Sequence, residues 1–208
     1  MIPKVIHYCW FGGNPLNDMA KKCIESWKKY CPDYEIVEWN ESNFDIGTSC
    51  DYVKEAYEAK KWAFVSDYVR LWAIYNYGGI YLDVDVELIK SIDFLRKNKA
   101  FFGFEDDNNI ATGVGFGAEK DNDVVKELIN DYNNIHFKNS DGKFDLTPCP
   151  SRNTRIFKKW GFEGNGKKQI VNGNVVYPKD YFCPKDYNTN ILNITENTVS
   201  IHHFIASW

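Results

Sequence analysis

The chain has 208 residues, 44% apolar, 26% charged and 16% aromatic, with a formal net charge of −4 at pH 7. That length supports one sizeable core, so a single domain over 1–208 is expected, and the apolar fraction excludes a disordered chain. The acidic balance, with basic residues only in scattered pairs such as Lys60-Lys61 and Lys167-Lys168, excludes a protein built to neutralise a polyphosphate backbone, so no nucleic acid partner is expected.

The opening residues Met1 to His7 lack the basic head and long apolar run of a secretory leader, and no stretch reaches 18 apolar residues, so a cytoplasmic setting is expected. Peripheral contact with the inner face of a membrane is compatible with that setting. Val5 to Trp10 is a short apolar run closed by Gly12-Gly13, which predicts a core strand ending in a tight turn. From Met19 to Tyr30, Ala20, Cys23, Ile24 and Trp27 follow helical spacing, and Pro32 stops the helix. Glu35 to Trp39 reads as the second strand. This strand, helix, strand order opens a nucleotide-binding α/β unit, whose ligands sit beyond the carboxyl ends of the strands. Trp10 is then placed to meet a base.

Asp51 to Tyr77 is helical in pattern but too long for one undivided helix, so a break is expected near Lys60 to Ala63. Asp67 and Arg70 lie one turn apart in an otherwise apolar part of it. An ordinary intrahelical salt bridge is the plain reading of such a pair. Gly78-Gly79 ends the segment. From Ile80 to Leu88 the alternation is strict, with Ile80, Leu82, Val84, Val86 and Leu88 on one face and Tyr81, Asp83, Asp85 and Glu87 on the other. Two aspartates at i and i+2 on one strand face can reach one hard cation, and carboxylate oxygens suit Mn2+ or Mg2+ bridging to phosphates. Acidic residues on a half-exposed strand are common without any ligand.

Further on, Ala100 to Phe104 and Val114 to Ala118 predict strands, Asp123 to Tyr132 and Thr154 to Trp160 helices, and Val175 to Tyr177 a strand. Glu105, Asp106 and Asp107 read as solvated loop acids. Thr198 to His203 predicts a last strand. His202 and His203 face opposite ways on it, so only one of them can join the aspartates; His203 is the expected ligand. Six separated cysteines form no Cys-x-x-Cys, which predicts reduced, mostly buried thiols. Seven Trp and thirteen Tyr offer flat faces for sugars or bases, although a core uses most aromatics in any protein.

Four pieces in this order, Ile2 to Trp10, Ser66-Asp67-Tyr68-Val69-Arg70, the block from Gly78 to Asp85, and His202-His203 followed by Ser207-Trp208, resemble glycosyltransferase family 32. The same landmarks recur in the large clostridial toxin glucosyltransferases. The resemblance implies an α/β GT-A fold, a Rossmann-like central mixed sheet flanked by helices. It implies a retaining, metal-dependent hexosyltransferase that takes a nucleotide-sugar donor, a UDP-sugar, and a saccharide acceptor in surface polysaccharide or oligosaccharide synthesis.

Carried onto this chain, Trp10 would stack on the donor base, Asp67 and Arg70 would hold the sugar and the reacting region, and Tyr81 would flank the diphosphate. Asp83 would contact ribose and metal, Asp85 would ligate the metal with His203, and Ser207 and Trp208 would close over the diphosphate. The toxin enzymes separate that Ser and Trp by one residue, whereas here they are adjacent. Two rival readings use the same residues: a carbohydrate-binding protein with a structural metal, and a nucleotide-sugar hydrolase.

Overall fold

The computed structural model describes residues 1–205, so the expectations for Ser207 and Trp208 lie outside the described residues. Strand β1 (Val5–Cys9) is followed by helix α1 (Asp18–Tyr30), β2 (Glu35–Trp39), α2 (Asp51–Glu58), α3 (Trp62–Tyr77), β3 (Gly79–Tyr81) and β4 (Val86–Leu88). Next come β5 (Ala100–Phe104), β6 (Ile110–Ala111), β7 (Phe116–Ala118), α4 (Asp123–Asn133), α5 (Cys149–Lys158), β8 (Gln169–Val171), β9 (Asn174–Tyr177), α6 (Lys179–Phe182) and β10 (Ser200–His202). The main sheet runs β2-β1-β3-β7-β5-β9-β8, with β6 added to β5. It is mixed: β1 is parallel to β2 and β3, whereas β7 is antiparallel to β3 and β5.

The expected alternation places the two faces of this sheet in two cores. Cys9, Tyr81, Ala100, Phe102 and Phe104 face α2 to α5, while Ile6, Tyr8, Ile80 and Phe101 face α1 and α6. Helix α1 starts at the Asn17 cap, whose side chain accepts from the Ala20 N–H at 2.8 Å, and ends with Lys28 and Lys29 on its negative pole. Its Trp27 is fully buried and donates Nε1–H to the Val86 carbonyl at 2.7 Å, bracing β4. The long helical segment breaks where expected, between α2 and α3, with Lys60 in left-handed geometry at φ 55°.

Two expectations change. Ile80 to Leu88 is not one strand: β3 stops at Tyr81, Val84 and Asp85 form a turn, and β4 leaves the main sheet to pair antiparallel with β10. Each segment keeps its own alternation, which is why the sequence reads as continuous. The helix expected from Thr154 begins at Cys149, because Pro148 and Pro150 suit a helix start, where an amide hydrogen would be unsatisfied anyway.

Gly78 and Gly79 close α3 onto β1. Gly79 has φ +112°, and a Cβ there would stand 2.8 Å from both His7 Nε2 and the Val5 carbonyl. The close approach serves His7, which donates Nε2–H to the Gly78 carbonyl at 2.9 Å while Nδ1 accepts from Trp39 Nε1 at 3.1 Å. One neutral imidazole thus ties β1 to β2 and to the turn before β3. All six cysteines are free, five of them buried. Among the described residues no helix is long and apolar enough to cross a membrane.

Burial lowers the His7 pKa to about 4 from the ordinary 6.5, against the opposing pull of its bond to Gly78. The folded state therefore holds fewer protons than the unfolded chain between those values, so the contribution is complete above pH 6.5 and is lost as pH falls towards 4. Chemical denaturation across this window should show wild type losing on the order of 3 kcal/mol more than His7→Gln. Parallel pH profiles for the two proteins would refute a buried neutral His7.

Candidate active site

The carboxyl ends of β1 and β3 open into a cavity of about 980 Å³. Trp10 borders it directly after β1, its ring half-buried and held by Nε1–H to the Asn14 carbonyl at 2.5 Å. Asp67, Arg70, Tyr81, Asp83, Asp85 and His202 also line this cavity.

Helix α3 is apolar on most of its surface, and its interior position buries Asp67 and Arg70 with it. The Arg70 Nη2 lies 3.0 Å from Asp67 Oδ1 and 3.2 Å from Asp83 Oδ1. Tyr81 donates its hydroxyl to the same Asp83 oxygen at 2.8 Å, and its ring lies 5.0 Å beneath the guanidinium. The Asp67–Arg70 pair is therefore more than a surface bridge within one helix: it extends to the β3 end. Burial opposes the charge on Arg70, but Asp83 and Asp67 outweigh it and raise its pKa well above the ordinary value. Burial likewise pushes Asp67 up to about 6, with Arg70 pulling it down and Asp83 pushing it further up. Asp83 is raised by burial in spite of Arg70.

The turn at Val84 and Asp85 is closed by the Val86 N–H on the Asp83 carbonyl at 2.9 Å. It turns the Asp85 carboxylate to accept from the Ile205 N–H at 2.8 Å and to meet His202 Nε2 at 3.3 Å. One ligand atom from each of Asp83, Asp85 and His202 lies within 4.8 Å of the others. Burial raises Asp85, but the bond to His202 and its charge win and hold the carboxyl below the ordinary value. His202 is raised to about 10: burial disfavours its charge, and Asp85 overcomes that.

This arrangement corrects the choice between the two histidines. β10 pairs with β4 so that His202 stands opposite Val86 and Ile201 opposite Glu87. His203 is on the Glu87 side and binds it, Nε2 to Oε2 at 2.8 Å, where Lys22 also reaches Glu87 at 2.9 Å. Glu87 thereby leaves the acidic face that unbroken alternation had given it. Asp85 escapes that alternation because it sits in the turn.

The group suits a divalent cation. Two carboxylates and an imidazole are a donor set for Mn2+ or Mg2+, and His202 Nδ1 is buried without a partner among the described residues.

Tyr81 meets the cavity, but its hydroxyl is committed to Asp83 and its ring to the core. Two further residues carried no motif. Gly113 lies against the network: a Cβ there would stand 2.4 Å from Asp83 Oδ2 and 3.2 Å from Arg70 Nη1. The Gly-x-Gly-x-Gly run from Gly113 to Gly117 is the signal that could have marked it. Cys149, at the start of α5, places its sulfur 3.6 Å from Arg70 Nη1.

A family model described as the glycosyltransferase sugar-binding region containing DXD motif matches residues 17–102. Inositol phosphoceramide mannosyltransferase 3 of Schizosaccharomyces pombe is 31% identical over 147 residues, which cover 65% of this chain and 40% of that protein. The chain thus spans less than half the length of this curated relative. The solved structure of the PaToxG glycosyltransferase is similar at TM-score 0.57 and 18% identity, over 76% of this chain and 69% of that one. A glycosyltransferase involved in glycosylation of the major capsid of PBCV-1 is similar at TM-score 0.50 and 13% identity, over 96% of this chain and 93% of that one. The likeness to DXD-containing sugar transferases read from the sequence is shown by these matches, and the fold is that of GT-A glycosyltransferases.

Titration with Mn2+, followed by electron paramagnetic resonance, checks the ligand set. Asp85→Ala and His202→Ala should each weaken binding by about tenfold or more, the scale on which even supporting residues of metal sites act. His203→Ala should stay within about threefold of wild type. A loss confined to His203→Ala would restore the alternative ligand.

Proposed function

We propose that this chain is a metal-dependent, retaining hexosyltransferase that draws on a nucleotide-diphosphate donor, a UDP-sugar, and delivers the sugar to a saccharide acceptor. The observation that carries this reading is the meeting of two devices in one cavity at the carboxyl ends of β1 and β3. One is the Asp83, Asp85 and His202 group, and the other is the buried Arg70 held between Asp67 and Asp83. The DXD family match and the mannosyltransferase relative support sugar transfer; UDP, retention and a role in surface polysaccharide or oligosaccharide synthesis follow the motif resemblance. A cytoplasmic setting at the inner face of the membrane fits such an acceptor.

Asp83, Asp85 and His202 would hold Mn2+ or Mg2+, which when bound counters the negative charge that builds on the departing diphosphate. Arg70 adds a second positive charge to that wall, fixed in advance by its two carboxylates and the Tyr81 ring, so no reorganisation is needed as the bond breaks. Trp10 would present its face to the donor base at the end of β1 and Asp67 would accept from sugar hydroxyls, while the diphosphate contacts of Ser207 and Trp208, which lie outside the described residues, follow the motif resemblance alone. In the transfer, the anomeric carbon loses its bond to the diphosphate oxygen, which leaves with the electron pair. The acceptor oxygen forms the new bond from the same face and passes its proton to the departing phosphate.

UDP with Mn2+ should raise the melting temperature, a ligand at 100 times its dissociation constant adding about 2.7 kcal/mol of stability. A chelator or Asp85→Ala should abolish the shift. UDP binding that ignores the metal, or no binding, sinks the assignment. A panel of UDP-glucose, UDP-galactose and GDP-mannose then identifies the donor by the largest shift.

A further inference from the structure

Six acidic residues line the cavity: Asp67, Asp83, Asp85, Glu105, Asp106 and Asp186. Five already have partners. Asp67 and Asp83 hold Arg70, and Asp85 holds His202 and the Ile205 N–H. Asp106 accepts from the backbone of Asn108 at 2.7 Å and Asn109 at 2.9 Å, and Asp186 from Asn188 at 3.0 Å and Thr189 at 2.8 Å, each closing its own turn.

Glu105 stands apart. It directly follows β5, and its backbone is fixed by its N–H on the Asn109 carbonyl at 2.9 Å. Its carboxylate forms no hydrogen bond or ion pair among the described residues, although the side chain is largely covered. Burial raises its pKa, and the charges that act on it are those of His202, Asp106, Asp83 and Arg70, so it shares the cavity with both the cation group and the arginine. Its neighbour Asp107 is drawn away to Lys179 at 3.2 Å, so the acids that read as one solvated loop have separate fates. The Glu105 oxygens keep contact with the cavity instead of being sealed in the core, and they are acceptors left open there. A ligand with hydroxyl donors would satisfy them.

We propose that Glu105 is a catalytic residue that touches the sugar in transfer, accepting hydrogen bonds from its hydroxyls and holding a negative charge beside the ring as positive charge develops there. The inference rests on the nucleotide-sugar reading above. The transition state divides charge, negative on the leaving diphosphate and positive on the sugar. Arg70 and the cation that Asp83, Asp85 and His202 would hold serve the first half. Of the acids on the cavity wall, Glu105 is the one whose carboxylate has neither a hydrogen bond nor an ion pair among the described residues, and so it is free to serve the second half. It forms no covalent bond and moves no proton in this step.

The test compares wild type, Glu105→Gln and Glu105→Ala. Binding of the donor's nucleoside diphosphate, UDP or GDP, with Mn2+ is measured by calorimetry, and turnover by release of that diphosphate from the donor sugar. Both variants should bind the diphosphate within about threefold of wild type, while kcat falls about 100-fold in each, because the amide of Gln keeps the shape and loses the charge. Melting temperatures without ligand should be equal to wild type or higher, since the change removes an unpartnered carboxylate.

A kcat within about threefold of wild type in both variants overturns the proposal, as does a loss that lies in diphosphate affinity or in the unliganded melting temperature. Failure of wild type to bind either diphosphate with Mn2+ overturns the nucleotide-sugar reading itself and, with it, this role.

Discussion

The guanidinium of Arg70 is the fixed point of this molecule. It is a charge taken out of water inside an apolar helix, which is tolerable only with opposite charge and hydrogen bonds in good geometry. Asp67 supplies one partner from the same helix, and Asp83 supplies the other from beyond the end of β3. Satisfying the arginine therefore requires the DXD segment to sit against α3, and Gly113 must lack a side chain for it to do so. Breaking either contact would strand a buried charge, so the geometry of the cavity wall and the stability of the fold depend on the same atoms.

A second constraint assembles the opposite wall. Asp85 belongs to a turn, and its carboxylate is completed only when residues more than a hundred positions later arrive beside β4. β10 brings His202 to the carboxylate and the Ile205 N–H to its second oxygen. Trp27 of α1 holds β4 in place from the other side through the Val86 carbonyl. Charge on Asp85 is thereby stabilised, whereas Asp83 and Asp67 are pushed towards the neutral form by burial. Two aspartates separated by one residue thus occupy different electrostatic settings, as expected if one braces a neighbouring arginine and the other chiefly serves a cation.

Much of the architecture was legible because local chemistry and final environment agree. The spacing of Ala20, Cys23, Ile24 and Trp27 gives α1, the Glu35 to Trp39 run coincides with β2, and the helical break falls at Lys60, where the chain adopts positive φ. Of the site, Trp10, Asp67, Arg70, Tyr81, Asp83 and Asp85 reach one cavity as their motifs suggested. The choice between His202 and His203 was not legible, because alternation says that two neighbours diverge and not which of them faces a turn. Glu105 and Gly113 were missed for a related reason. A carboxylate in a run of acids and a glycine in a glycine-rich run acquire meaning only from what stands against them.

The sequence by itself determined periodicity, punctuation and chemistry: which segments are strands and helices, where glycine and proline stop them, and which side chains can bind a cation or a phosphate. Those follow from interactions within a few residues. Tertiary structure decided the break of Ile80 to Leu88 into two strands of different sheets, the exchange of His203 for His202 beside Asp85, and the isolation of Glu105 among acids that already have hydrogen-bond partners. Each of these is a contact or a separation between distant parts of the chain, set by strand register and by the demand that buried charges find partners, and no local pattern encodes it.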